Sequence, residues 1–300
     1  MRTVFCGLTT IDLIQNVEHV PAANEKVVAN GALLDVGGPA ANAARIAAIL
    51  GAEPTLISPI GTGVFGTMAL SWLNDCGVHT IDLASDGDPA ISAVAIDACG
   101  DRTVISTNSS GRSHTFPSAD VLDNAAALLI DGHLPDVQLP LARTAQQLGI
   151  PVVFDGGSYK DGTVALLPYV SHGIFSADFV LPGAEDQLLE MLAWRGMTLA
   201  ARSNGNEPVE AIVGGKYYSL SVPHVPATQV VDTLGAGDAL HGAFTAALAA
   251  GQSELQALSG AIDIASRSVR GLGAIGWALT NESRGSHTSS VGTPRTVTPE

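Results

Sequence analysis

The chain is predicted to be an α/β protein with a mainly parallel central sheet and a second, small β-sheet beside it, and three observations carry the prediction. Strand-like apolar runs alternate with stretches of helical length, which is the pattern of right-handed βαβ units. The composition is 46% hydrophobic but only 5% aromatic, with 33 glycines, as in a core built of Ala, Val and Leu and turned by Gly. A chain of 300 residues buries one large core, so one domain with a small appendage is expected rather than two equal halves.

In chain order, residues 3–8 read as a short buried strand that ends in Gly7 and a polar bend, with Asp12 just beyond it as a turn residue. Residues 26–36 alternate loosely and are rich in β-formers. They lead into Gly37-Gly38-Pro39-Ala40-Ala41-Asn42 at the head of an alanine-rich helix, where Pro39 suits the first turn. Residues 54–60 form the next strand, and the turn Gly61-Thr62-Gly63-Val64-Phe65-Gly66 starts a helix ending near Asp75. Two β-rich runs, 90–98 and 102–107, meet across Cys99-Gly100-Asp101 as a hairpin and complete the small sheet with 26–36.

Residues 126–132, 151–157 and 178–183 are strand-like, with a helix over 136–148 between the first two. Sheets of this type bind ligands beyond the carboxyl ends of their strands. Asp131, Asp155 and Lys160 fall there; each reads as a scaffold or solvent residue, and Lys160 also as a partner for an anionic substituent. Strands at 199–203 and 209–220, the second broken by Gly214-Gly215, precede two helices at 235–250 and 254–270. Residues 281–300 turn to Ser, Thr, Gly and Pro and are expected to be an unstructured tail.

The stretch around which this pattern is organised is 230–244, Val-Val-Asp-Thr-Leu-Gly-Ala-Gly-Asp-Ala-Leu-His-Gly-Ala-Phe. The first N–H groups of a helix have no intrahelical partner and lie at the positive end of its dipole, so a glycine turn in front of them admits an anion to bare backbone. Asp238 in the first helical turn reads as a cap when taken alone. Capping needs neither Gly235-Ala236-Gly237 before it nor Asp232-Thr233 earlier, so the whole stretch reads as an anion site with a carboxylate in it. His241, almost one turn on, reads as a packed or capping histidine that could also face the site.

Asp232-Thr233-Leu234-Gly235-Ala236-Gly237-Asp238 resembles the signature of the ribokinase-like (PfkB) family of ATP-dependent sugar and nucleoside kinases. Gly37-Gly38, with Asn42 four residues after the second Gly, is similar to that family's N-terminal signature. The resemblance covers roughly residues 1–278 and implies a ribokinase-like three-layer sandwich. In the family the small sheet is a lid over the sugar and often the dimer contact, so a homodimer through the lid is expected. The resemblance implies that Asp238 takes the proton of the acceptor hydroxyl while the amides of Gly235, Ala236 and Gly237 hold the moving phosphoryl group. Asp12, Gly38 and Asn42 would position the acceptor, with Arg102 and Arg112 as lid residues able to grip an anionic one.

Thr233, the Ser203-Asn204-Gly205 turn and Gly273 of Gly271-Leu272-Gly273-Ala274 match positions near the nucleotide, and ATP and Mg²⁺ are the implied cofactors. The chain departs from the family twice. Gly63 stands where relatives often carry Asp, so that contact is absent or replaced. Gly183-Ala184-Glu185-Asp186 replaces an Asn-x-x-Glu motif that organises Mg²⁺ through water, leaving Glu185 or Asp186 as metal-site acids.

The formal charge of −15 argues against a nucleic-acid or anionic-membrane surface, which would need a basic patch. The only lysines are Lys26, Lys160 and Lys216, so a nucleotide must be held by amide dipoles, a few arginines and Mg²⁺. Cys6, Cys76 and Cys99 are odd in number and widely spaced, which suits buried thiols rather than disulfides or zinc. Asp12 and Glu18 interrupt any secretory profile, and a cytoplasmic protein is expected. The function expected is phosphoryl transfer from ATP to a hydroxyl, a primary one, of a sugar or sugar derivative. A nucleoside acceptor ranks below it because the chain is poor in aromatics, with Phe65 the nearest, and a sugar-binding relative without catalysis is a third reading.

Overall fold

The structure is a computed structural model that describes residues 1–98, 100, 102–108, 114–184, 187–279 and 296–297. Its first half contains β1 (Arg2–Cys6), β2 (Thr10–Asn16), β3 (Gly31–Gly37), α1 (Pro39–Ile49), β4 (Glu53–Ser58), α2 (Val64–Asp75), β5 (His79–Asp82), β6 (Ala90–Ile96), β7 (Arg102–Ser106), β8 (Ala127–Ile130) and α3 (Pro135–Gln147). The second half continues with β9 (Val152–Gly156), α4 (Thr163–Leu166), β10 (His172–Ser176), α5 (Leu188–Trp194), β11 (Leu199–Asn204), β12 (Glu207–Val213), β13 (Lys216–Leu220), α6 (Ala236–Ala249), α7 (Glu254–Ser268) and β14 (Thr296–Val297).

The large sheet has the order β13-β12-β11-β10-β9-β8-β1-β4-β5 and is parallel from β11 to β5, with β12 and β13 antiparallel at one edge. Its central strands are buried on both faces, while β13 and β5 at the edges are partly exposed, and the period-2 alternation of side chains sorts the interior residues into two cores. Val4, Cys6, Leu128, Ile130, Val152 and Phe154 point to the face covered by α3, α4 and α5. Phe5, Leu129 and Val153 point to the opposite face, covered by α1, α2, α6 and α7. The result is the three-layer sandwich expected. Phe154 is completely buried, and its truncation to Ala would cost about 3–5 kcal/mol.

The small sheet has the order β14-β3-β2-β6-β7, with β2 parallel to β6 and antiparallel to β3, and β6 antiparallel to β7. Its central strand, β2, corrects the sequence reading, which took this segment for a polar bend. Asp12 is a strand residue facing Asp35 across β3 and Ser92 across β6. The strand expected over 26–36 begins only at Gly31.

A second correction concerns 178–183, which is turn and loop, the strand of that unit being β10 a few residues earlier. Phe179 and Leu181 misled because they are apolar for core packing against Phe175 rather than for strand pairing. The hairpin tip at Cys99 and Asp101 lies outside the described residues, as does the expected tail 281–300 apart from Thr296–Val297, which pairs with Leu33 and Ala32. Cys6 and Cys76 are free thiols. Among the described residues, no helix is long and apolar enough to cross a membrane.

Candidate active site

Two helix beginnings meet at the carboxyl end of the large sheet. Gly38 caps α1 with φ 94°, and a Cβ there would lie 2.4 Å from the Leu8 carbonyl oxygen, so only glycine lets α1 start against the β1–β2 connection. On α6, Gly242 lets the backbone of α1 approach closely, since a Cβ there would lie 2.5 Å from the carbonyl oxygen of Ala43. Asp238 lies one turn before Gly242 and Asn42 one residue before Ala43. The close crossing brings them together, with Asn42 Nδ2 donating to Asp238 Oδ2 at 2.7 Å.

Asp238 is pushed up to about 7, first by burial and then by the negative charge of Asp155. The Asn42 hydrogen bond and His241 act in the opposite direction, and the Asp12 charge raises it further. His241 is buried, with Nδ1 at 2.7 Å from the Gly237 carbonyl oxygen and Nε2 at 3.0 Å from that of Ile174. Carbonyl oxygens only accept, so both contacts are hydrogen bonds when both ring nitrogens carry protons. Packing of His241 under the site, rather than direct exposure to it, is the reading the geometry selects.

The turn before α6 is held from behind. Asp232 is buried and accepts from the amides of Leu234 at 2.8 Å and Gly273 at 2.9 Å, clamping the 271–274 loop to the turn. Gly235 adopts the left-handed conformation with φ 79°, and a Cβ on it would lie 2.8 Å from that of Ala274. The Ala236 amide makes a long bond of 3.3 Å to the Thr233 carbonyl oxygen. Among the described residues, the amides of Gly237 and Asp238 have no backbone partner, so the turn presents N–H groups as an anion site requires.

A cleft of about 780 Å³ opens beside this turn, reaching Leu234 and Asp238 but not Gly235, Ala236 or Gly237 between them, and is lined by Asp12, Gly38, Asn42 and Asp238 together. Four of the residues picked out in the sequence therefore share one space. Burial raises Asp12 from the ordinary carboxylate value against the bonds from Thr10 and Ser92, the former at 2.6 Å. Lys160 lines the cleft and donates to the Ser158 carbonyl oxygen at 3.1 Å. Arg102 does not line it; Nη1 donates instead to the Thr233 hydroxyl at 3.0 Å, tying β7 to the loop before α6.

Ser203 is the last but one residue of β11 and Gly205 turns into β12 with φ 56°; neither lines the cleft. Arg112, Glu185 and Asp186 lie outside the described residues. Among the described residues, no group of three or more metal-ligating side chains converges. At Gly63 the contact is replaced: Asp88 Oδ1 accepts from the Gly66 amide at 2.9 Å, and its carboxyl group fills the space that a side chain at 63 would occupy. An Asp at the α2 N-cap would bond the same amide, so Asp88 supplies that cap from another loop.

The sequence reading missed Thr10, Ser92 and Ser106, which face the cleft from the small sheet, and Tyr159 beside Lys160. It also missed the buried Asp35–Arg45 pair, whose Nη2–Oδ1 distance is 2.8 Å. The signal for Arg45 was present, because Asn42 and Arg45 are spaced i, i+3 on one helical face.

The family described as pfkB family carbohydrate kinase matches residues 2–280. The ribokinase of Bacillus subtilis (strain 168) is 26% identical over 90% of this chain and 93% of its own length. The ribokinase of Arabidopsis thaliana is 26% identical over 91% of this chain and 77% of its own. In shape, the structure of Arabidopsis thaliana ribokinase complexed with ribose and ATP superposes with a TM-score of 0.72 at 22% identity, covering 92% of this chain and 94% of that one. Adenosine kinase from Sinorhizobium meliloti superposes with a TM-score of 0.74 at 19% identity, covering 92% and 97%.

Proposed function

This chain belongs to the pfkB family of carbohydrate kinases and is a phosphotransferase with a hydroxyl acceptor, and from that premise we propose that it transfers the γ-phosphoryl group of ATP to a primary hydroxyl of a sugar or sugar derivative. The observation that carries the reading is Asp238: its carboxylate shares one cleft with Asp12 and stands beside a turn of open amides. Asp238 accepts the proton of the acceptor hydroxyl, which general-base action makes worth about 10²- to 10⁴-fold in rate. The amides at Gly235–Gly237 stabilise the charge on the transferred group, and Asp12, with Gly38 and Asn42 around it, orients the acceptor through its vicinal hydroxyls.

ATP supplies the phosphoryl group when bound, and the clamped turn with its αL glycine fits a phosphate tail. Thr233 and Gly273 would lie along that tail, with Ser203 and Gly205 further out. Mg²⁺ would be organised by Glu185 or Asp186. A cytoplasmic homodimer joined through the small sheet belongs to the same proposal, supported by Ile105 on β7, which is 73% exposed.

One observation favours a nucleoside instead: Tyr159, the aromatic side chain lining the cleft, offers a face to a base. A panel of ketoses, aldopentoses, phosphosugars and nucleosides, assayed for ADP release with and without Mg²⁺, separates the two. Turnover of sugars is expected, and turnover of nucleosides alone would replace the sugar reading. Calorimetric binding of a sugar without any ATP consumption would remove the catalytic one.

A further inference from the structure

Behind Asn42 lies a buried charge that the reaction does not use directly. Arg45 is 2% exposed and Asp35 7%, and the two are joined through Nη2–Oδ1 at 2.8 Å and Nη1–Oδ2 at 3.3 Å. The same Nη1 donates to the Val36 carbonyl oxygen at 2.7 Å and reaches Asn42 Oδ1 at 3.4 Å. Burial works against the guanidinium charge, but Asp35 and then Cys76 more than offset it, so Arg45 stays a donor at any working pH.

A carboxamide has one accepting end and one donating end. Asn42 sits between a group that only donates, Arg45, and a carboxylate that only accepts, Asp238. Of its two flips, one satisfies both neighbours; the other sets its NH₂ against a guanidinium and its oxygen against a carboxylate. We propose that Arg45 is a positioning residue for phosphoryl transfer, holding Asn42 with its NH₂ group on the general base. The proposal rests on the assignment of Asp238 as that base.

Stability alone gives a weak account of the pair, because a buried ion pair is often matched or bettered by apolar residues of similar volume. Asp35 stands on β3 of the small sheet and Arg45 on α1, so a ladder of four side chains, Asp35, Arg45, Asn42 and Asp238, links the acceptor sheet to the catalytic helix. The charged or polar groups facing Asp238 are Asp155 from β9, Asp12 from β2, His241 from α6 and Asn42 from α1, with Lys160 on the wall of the same cleft. Of the two that favour its ionised form, Asn42 is the one that Arg45 sets.

The test is the pH profile of kcat/KM, with thermal unfolding measured in parallel, for Arg45→Lys, Arg45→Met and the double variant Asp35→Asn with Arg45→Met. Lys keeps the charge opposite Asp35, and the double variant removes both charges, so folding survives in at least these two. Both Met variants should move the acid limb upward by about half to one pH unit, a loss of about three- to tenfold below the limb that recovers at high pH. The acceptor KM should change little, and Lys should shift the limb less. If the double variant is folded and shows the wild-type acid limb, the pair does not set Asn42 for the base, whatever its effect on the unfolding temperature, and the proposal is overturned. Activity surviving in Asp238→Asn would instead remove the base assignment, whatever the Arg45 variants do.

Discussion

Oδ2 of Asp155 lies 3.2 Å from Nδ1 of His241, and both side chains are buried. Oδ1 of Asp155 accepts from the Gly157 amide at 3.0 Å, whereas Oδ2 makes no hydrogen bond among the described residues and is met only by the nearby imidazole, whose Nδ1 bonds the Gly237 carbonyl oxygen at 2.7 Å. Removing the imidazole takes away the group packed beside the buried Asp155 carboxylate and the partner of two backbone carbonyl oxygens. His241→Leu is therefore expected to cost about 1–3 kcal/mol by chemical denaturation, and Asp155→Asn combined with it should recover part of the loss. Equal destabilisation of the single and double variants would show that the pair does not act as a unit.

The pH dependence follows from Asp238, held near 7 by burial and by Asp155. Only the ionised carboxylate accepts a proton, so kcat/KM should rise with pH through about 7 and level off above it. Stability runs the other way. With the folded value raised from 3.8 to about 7, the folded state holds more protons than the unfolded one inside that window, so this group's contribution falls as pH rises through it. Asp238→Asn should lower kcat by about 10²- to 10⁴-fold and melt higher than wild type at pH 8. Wild-type turnover in the folded variant would end the catalytic assignment.

Asp88 caps α2 through Gly66, in place of a capping side chain at Gly63. Asp88→Ala should cost about 1 kcal/mol. Gly63→Asp should be harmful on its own, because it drives a second carboxyl group into the first, whereas Gly63→Asp with Asp88→Ala should restore stability. Urea unfolding of the four proteins closes the cycle, and failure of the double variant to recover would refute the trans cap.

Gly242 sets the distance between α1 and α6. Gly242→Ala places a Cβ 2.5 Å from the Ala43 carbonyl oxygen, so the helices must part, at a cost of about 1–3 kcal/mol. Because Asn42 and Asp238 meet across that crossing, the acid limb should rise as well. A stability loss with an unmoved pH profile would uncouple the crossing from the base.

The glycine turn, α6 and the head of α1 were legible because each is a local matter of turn residues, caps and periodicity. The pairing of Asn42 with Asp238 was not, because it joins residues 196 apart and exists only once the two helices cross. Nor was β2: Thr10 and Asp12 face a cleft rather than a core, so function broke the apolar alternation that would have announced a strand. The metal-site acids Glu185 and Asp186 stay an expectation.

The small sheet carries Thr10 and Asp12 on β2, Ser92 on β6 and Ser106 on β7, while the glycine turn opens α6 in a layer of the large sheet. On the proposed function, taste is written largely on the small sheet and trade on the turn before α6, with Asn42 of α1 touching both. Under that proposal, drift in a handful of codons on three strands would retarget the enzyme to another alcohol while the transfer machinery is inherited intact.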